Sequence, residues 1–153
     1  IEIAALPFDG FELTSSFGYN EAEFTDFNGT GLFDGNWLPN APRYNLNVGG
    51  RYEHPVAANM NLVGRVDYHR NGRIYYAQDN LVYQPSYHTV DLQLGLEGEQ
   101  WAVTLWGRNV FDQDYATSAY SRFISPLIFG VLQIDPVQID PGAKYGVELR
   151  WNF

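Results

Sequence analysis

The chain has 153 residues, enough for one domain with a real core. Its formal charge of −9, with nine Lys and Arg against eighteen Asp and Glu, leaves no basic face for phosphate and argues against nucleic acid as a partner. The lack of Cys excludes a disulfide scaffold and thiol chemistry, and no run of about 20 apolar residues offers a membrane-crossing helix.

From the first residue the chain reads in period two, and about seven strands are predicted. The first, near Ile1 to Leu6, begins mid-pattern without a leader, as expected of a C-terminal piece of something longer. Phe11 to Phe24 sets Phe11, Leu13, Phe17 and Tyr19 against Glu12, Thr14, Ser16 and Asn20. Tyr44 to His54 sets Leu46, Val48 and Tyr52 against Asn47, Arg51 and Glu53. Asn61 to Arg70 sets Leu62, Val66 and Tyr68 against Arg65, Asp67 and His69. His88 to Glu97 sets Val90, Leu92, Leu94 and Leu96 against Asp91, Gln93 and Glu97. Trp101 to Phe111 is less regular, with Val103, Leu105 and Phe111 against Thr104, Trp106 and Arg108. The last strand is the clearest: Tyr145, Val147, Leu149, Trp151 and Phe153 face one way, and Gly146, Glu148, Arg150 and Asn152 the other.

Connections alternate in length. Pro7–Gly10, Pro55–Met60 and Gly98–Gln100 are short turns, whereas Thr25–Arg43, Asn71–Tyr87 and Asp112–Ala143 are long loops. Short turns at one end and long loops at the other, with apolar and polar residues alternating between, predict an all-β fold: an antiparallel transmembrane β-barrel in a bacterial outer membrane. The long loops would be extracellular and the C-terminus periplasmic. Charges agree, since Arg51, Glu53, Arg65, Asp67, Asp91, Glu97, Arg108, Glu148 and Arg150 all fall on the lumen face, where opposite signs on neighbouring strands are expected to pair. Arg70 breaks parity at a strand end, where its stem can snorkel. Tyr19, Tyr52, Tyr68, Trp101, Trp151 and Phe153 near strand ends fit an aromatic girdle.

Three further stretches carry a family likeness. Trp106-Gly-Arg-Asn-Val-Phe-Asp-Gln-Asp-Tyr115 resembles the N-L-F-D-x-x-Y segment above the penultimate strand of TonB-dependent outer-membrane receptors, with Val110 in the Leu place. Leu38-Pro-Asn-Ala-Pro-Arg-Tyr44 resembles the P-x-x-P lead-in to an earlier strand of the same receptors, and Asn20-Glu-Ala-Glu-Phe-Thr-Asp-Phe27 the D-A-E-Y-T-D-F before it. With the terminal aromatic, the resemblance is to a siderophore-receptor-like barrel and covers the chain. Asn109 and Asp112 can bond local backbone where ladder pairing ends, and Pro39 and Pro42 withhold donors and stiffen the lead-in.

The resemblance implies that residues 1–153 are the C-terminal part of a barrel of about 22 strands, with the plug domain and remaining strands outside this chain. It implies import of a scarce solute, a ferric siderophore being the commonest class, driven by TonB acting through the plug. The other implied partners are the barrel-assembly machinery, which would read Tyr145, Val147, Leu149, Trp151 and Phe153, and outer-membrane lipid. Ligand capture falls to loop aromatics and arginines suited to stacking and anion pairing: Arg73, Tyr75, Tyr76, Tyr83, Tyr115, Tyr120, Arg122 and Phe123. No cofactor, metal or catalytic residue is expected. His54, His69 and His88 lack ligand spacing, and His69 is expected to bond Asp67 on the lumen wall. Asp26, Asp34, Asp79, Asp112 and Asp114 lack the compact spacing of a calcium loop. The repeat of Gln-Ile-Asp-Pro at Gln133 and Gln138 is expected as an extended edge or a β-ribbon. The alternative is a small complete barrel: an adhesin, a porin-like protein or a lipid-modifying enzyme. Ser86 near His88 is the sole catalytic hint, and an eighth strand within a long loop would favour this reading.

Overall fold

In a computed structural model the chain is all-β, and the structure describes residues 1–119, 123–125, 132–134 and 137–153. In chain order the strands are β1 (Glu2–Phe8), β2 (Phe11–Tyr19), β3 (Tyr44–Ala57), β4 (Met60–Asn71), β5 (Ile74–Tyr75), β6 (Tyr83–Gln84) and β7 (Tyr87–Gly98). There follow β8 (Trp101–Arg108), β9 (Ala116–Ala119), β10 (Phe123–Ser125), β11 (Leu132–Ile134), β12 (Val137–Ile139) and β13 (Lys144–Trp151). Seven of them form one antiparallel sheet in the order β1-β2-β3-β4-β7-β8-β13, so every hairpin joins spatial neighbours. The other six pair in three small ribbons within two of the long loops: β5 with β6, β9 with β12, and β10 with β11. None adds an eighth strand to the sheet among the described residues, and the outer edges of β1 and β13 stay unpaired there. Open edges of this kind are not tolerated in lipid, so the sheet is one part of a wall that further strands must complete.

The register keeps the two faces separate across the whole sheet. Val66 of β4 lies opposite Gly50 of β3 and Leu92 of β7, and the same row runs on to Gly107 and Tyr145. One residue along, Arg65 lies opposite Arg51 and Gln93 on the other face. The apolar face has nothing packed on it. Leu94, Leu105, Val147 and Leu149 are 51, 52, 62 and 76% exposed, and the only buried apolar residues are the small Ala77 and Ala102 among the described residues. The chain exposes 10701 Å², against about 7,900 Å² for a folded globule of its mass. A water-soluble sandwich would cover this face with a second sheet; lipid is the solvent that needs no cover. β3, β4 and β7, at 14, 12 and 12 residues, exceed the roughly 9–11 that a tilted strand needs to span the hydrocarbon.

Two strands end three or more residues short of expectation, each with a local cause. β2 ends at Tyr19 rather than Phe24: after Asn20 N–H bonds to Arg43 O, pairing reduces to a single bridge between Glu23 and Trp37. β8 ends at Arg108 rather than Phe111 because Asn109 turns left-handed, with φ of 48°. The first turn is tight, Asp9-Gly10 joining Phe8 to Phe11, and Gly10 supplies its positive φ of 78°. Pro7 sits in β1 at a bulge between Ala5 and Phe8, where the ladder to β2 is already interrupted and a missing donor is tolerated.

Lumen-face charges pair mostly along strands rather than across them. Arg51 reaches Glu53 at 2.8 Å, and Arg65 grips Asp67 with Nε and Nη2 at 2.6 and 2.9 Å. Among the described residues only Arg150 and Glu97, at 4.0 Å, lean toward each other over Ala102 of the strand between them. The expected His69–Asp67 bond is corrected accordingly. Asp67 is occupied by Arg65, and His69 shares a 2.7 Å hydrogen bond with Asn47, its directly opposed residue on β3. Asn47 in turn donates to Ser16 at 3.0 Å, so a polar chain crosses three strands.

Candidate functional site

The loop end of the sheet is where the aromatic and arginine candidates gather, and the three long loops there are tied into one body. Asn80 makes the first tie. Its backbone is left-handed at φ 54°, which asparagine tolerates, and its carboxamide brackets the Trp37 peptide. Oδ1 accepts from Trp37 N–H at 2.6 Å, and Nδ2 donates to Trp37 O at 2.9 Å. Asn36 Nδ2 donates to Gln78 O at 2.8 Å, and Asn40 N–H to Tyr75 O at 2.8 Å. The Trp37 ring carries the Arg43 guanidinium 5.0 Å above its centroid. The first loop is therefore bound to the second along much of its length.

A second set of ties joins the second loop to the third. Tyr76 donates its hydroxyl to Ala116 O at 2.7 Å, and Ala116 N–H donates to Gln84 Oε1 at 2.7 Å. Tyr87 and Tyr115 stack at 4.2 Å and 8°, and the Tyr115 hydroxyl donates to Asp140 Oδ2 at 3.0 Å. Asp140 N–H returns a bond to Tyr115 O at 2.9 Å, closing the third loop at its base. Beneath this, Asn109 is 6% exposed and its carboxamide brackets Gln113 as Asn80 brackets Trp37. Asp112 Oδ1 accepts Ala143 N–H at 2.9 Å, so the outgoing and returning arms of the third loop meet. Asn109 and Asp112 thus do the backbone bonding expected of them.

Burial, then the hydrogen bond to Asp140, pushes the Tyr115 phenol up from 10.0 to about 12. A raised folded value means the fold favours the neutral phenol. Its contribution is complete below the unfolded value and is lost as pH rises from 10 through about 12. Spectrophotometric titration of Tyr115→Phe should lose one phenolate step at the upper end of that window; a step lost near 10 instead would place Tyr115 in water. Burial also raises Tyr76.

These ties sort the predicted residues. Tyr76 and Tyr115 have hydroxyls committed to the loops themselves, and the Tyr115 ring is covered on one face by Tyr87. Arg73, Tyr75 and Tyr83 form a separate cluster on the ribbon of β5 and β6. The Arg73 guanidinium lies 4.9 Å from the Tyr83 ring centroid and 5.9 Å from that of Tyr75, donating to the Tyr75 hydroxyl at 3.2 Å. Tyr75 and Tyr83 stand 5.8 Å apart, tilted by 57°, and Tyr83 is 48% exposed. A cation held over two phenol rings, open to water, can stack on a flat ring and pair with an anion together. Tyr120 and Arg122 lie outside the described residues, as does the side chain of Phe123.

Trp37, Asn80, Gln84 and Tyr87 were not among the predicted residues, although they bind the loops together. Only Asn80 left a trace in the sequence, in the turn-forming run Asp79-Asn80. The expected ribbon is present in duplicate. The first Gln-Ile-Asp-Pro contributes Gln133 and Ile134 to β11, and the second contributes Gln138 and Ile139 to β12. The aspartates of the first two loops serve turns: Asp26 accepts Gly29 N–H at 2.7 Å, Asp34 accepts Phe27 N–H at 3.1 Å and Asp79 accepts Leu81 N–H at 3.0 Å. No cluster of metal-binding side chains occurs among the described residues. On the terminal strand, Tyr145, Val147, Leu149, Trp151 and Phe153 are 60% exposed or more on one side.

Comparison with known proteins agrees with this architecture. Residues 1–110 match the family model described as TonB dependent receptor-like, beta-barrel. The pesticin receptor of Yersinia pestis is 29% identical over 135 residues, a match covering 86% of this chain and 18% of the receptor. The crystal structure of the ferric yersiniabactin uptake receptor FyuA from Yersinia pestis superposes with a TM-score of 0.82 at 24% identity, over 99% of this chain and 22% of that one. The ferric preacinetobactin receptor BauA from Acinetobacter baumannii gives a TM-score of 0.78 at 15% identity, over 99% of this chain and 21% of its own. The chain thus spans about a fifth of the length of these relatives.

Proposed function

The chain belongs to the TonB dependent receptor-like β-barrel family, one of outer-membrane transport receptors rather than enzymes, and on that premise we propose that it is the C-terminal wall of a plugged barrel importing a ferric siderophore. Residues 1–153 would then be one section of the barrel domain, with the long loops extracellular and the C-terminus periplasmic. The observation that carries the ligand class is the water-exposed Arg73–Tyr75–Tyr83 cluster on a crown of mutually bonded loops. Ferric chelates of the siderophore type present flat rings and negative charge, which such a cluster answers with stacking and ion pairing. The similarity to a ferric yersiniabactin uptake receptor and a ferric preacinetobactin receptor supports the same class.

In this reading Arg73, Tyr75 and Tyr83 make first contact with the chelate, and Tyr120, Arg122 and Phe123 of the third loop share the capture surface. Tyr76 and Tyr115 hold the crown in shape around it. TonB acts through the plug, the barrel-assembly machinery reads the terminal strand from Tyr145 to Phe153, and lipid covers the apolar face.

The test is uptake of radioactive iron by cells producing the full-length receptor, supplied with a panel of ferric siderophores. Arg73→Ala and Tyr83→Ala should each weaken binding of the accepted chelate by about 3- to 10-fold at unchanged surface levels. A deletion strain that takes up every chelate normally would overturn the transport reading. Unchanged affinity in both variants would remove the cluster from the ligand site.

A further inference from the structure

The apolar face carries one arginine, and nothing on that face neutralises it among the described residues. Within the seven-stranded sheet the lipid-side rows are apolar, aromatic or glycine, with Ser15 and the two histidines His54 and His88 as the other polar members. No carboxylate stands among them, and none of the three ion pairs of the described residues includes Arg70. Arg70 is nevertheless held in place. Its Nε donates to the Tyr44 hydroxyl at 3.3 Å, and the Tyr68 hydroxyl lies beside it. The directly opposed residue on β7 is His88, exposed, with its ring 5.8 Å from that of Tyr68. A guanidinium fixed by phenols beside an imidazole, with no carboxylate paired to it among the described residues, has the chemistry to take a membrane-borne anion.

Below it on the same face lies a groove. Gly50, Gly64 and Gly107 leave its floor without side chains, and Tyr52, Leu94, Leu105 and Tyr145 rise at its sides, around an open depression of about 560 Å³. Gly50 and Gly64 sit four to six residues down the strands from the Arg70 row, about 13–20 Å at 3.3 Å per residue. That is acyl-chain depth in a hydrocarbon core about 30 Å thick. We propose that Arg70 with His88 and the glycine-floored groove form one site for a phosphorylated, multiply acylated lipid of the outer leaflet, headgroup above and a chain below. The orientation rests on the reading above, in which the loop end is extracellular.

The test reconstitutes the full-length receptor in nanodiscs of phosphatidylcholine, with or without diphosphoryl lipid A, and counts retained lipid by native mass spectrometry. Wild type should retain lipid A. Arg70→Gln should lose retention at least tenfold while β-sheet content and gel mobility stay unchanged. Gly64→Leu should lose it several-fold with Arg70 intact; a side chain at Gly64 meets no atom within 4 Å, so the variant fills the groove without strain. Equal retention by Arg70→Gln, or by lipid A stripped of phosphate, would overturn the headgroup assignment. Competition by inorganic phosphate with no effect of Gly64→Leu would overturn the groove. Labelling of Asp79→Cys from outside intact cells reports orientation separately. Labelled cells with flat lipid data sink this inference alone, whereas unlabelled cells sink the premise.

Discussion

Asn109→Val is expected to cost about 3 kcal/mol and to open the base of the third loop. The wild-type residue combines a left-handed backbone with a side chain that satisfies both polar groups of the Gln113 backbone. Valine, branched at Cβ, is strained at φ of 48°, an effect of about 1–3 kcal/mol, and it leaves Gln113 N–H and C=O without partners. Asn109→Gly separates the two contributions: it relieves the strain, loses the hydrogen bonds, and should cost roughly half as much. Hydrogen exchange in the full-length protein reads the outcome locally, as faster exchange at Gln113 and at Asp112, whose N–H bonds to Asn109 O at 2.8 Å. Wild-type protection in the valine variant would show that the loop base is held elsewhere.

The wall was readable because lipid and water impose opposite demands on alternate residues. Leu92, Leu94 and Leu96 against Asp91, Gln93 and Glu97 admit one pleat and one orientation, and the structure sets them so. The turns were legible in place but not in extent: Pro7–Gly10 narrows to Asp9-Gly10, with Pro7 inside β1, and Pro55–Met60 narrows to Ala58-Asn59, with Pro55 inside β3. Register was not legible. That His69 meets Asn47 rather than Asp67 depends on which residues of β3 and β4 stand opposite each other, and on Arg65 having claimed Asp67 first.

The crown was legible in composition but not in arrangement. Arg73, Tyr75 and Tyr83 lie within one loop, and a short ribbon brings them together, so local sequence was enough to pick them. Tyr76 and Tyr115 looked equivalent to them, yet their hydroxyls bind partners 40 and 25 residues away. Asn80 and Trp37 are 43 residues apart, and no period or motif announces their two bonds. A long-range tie of this kind comes from the fold holding two loops side by side. The ligand surface is therefore best sought among residues that the ties leave free.

The largest asymmetry should appear between two neighbours on β8. Leu105 is 52% exposed and lies between Leu94 and Val147, with apolar groups on either side. Thr104, next in the chain, faces the lumen opposite Glu148. In water an arginine at either position would shift stability by less than about 0.5 kcal/mol, since neither residue fills a core. In a bilayer Leu105→Arg puts a charge near mid-depth at about 2–4 kcal/mol, whereas Thr104→Arg meets a carboxylate across the strand pair. Folding the full-length barrel into lipid vesicles and following urea unfolding would measure the difference. Leu105→Arg should lower the folded-to-unfolded ratio by roughly 30- to 1,000-fold, and Thr104→Arg should stay near wild type. Equal tolerance of the two would mean that the apolar face meets water or another protein surface, and the lipid-facing wall would have to be abandoned. A penalty at Leu105 alone would identify the bilayer as the partner that the uncovered face was built to meet.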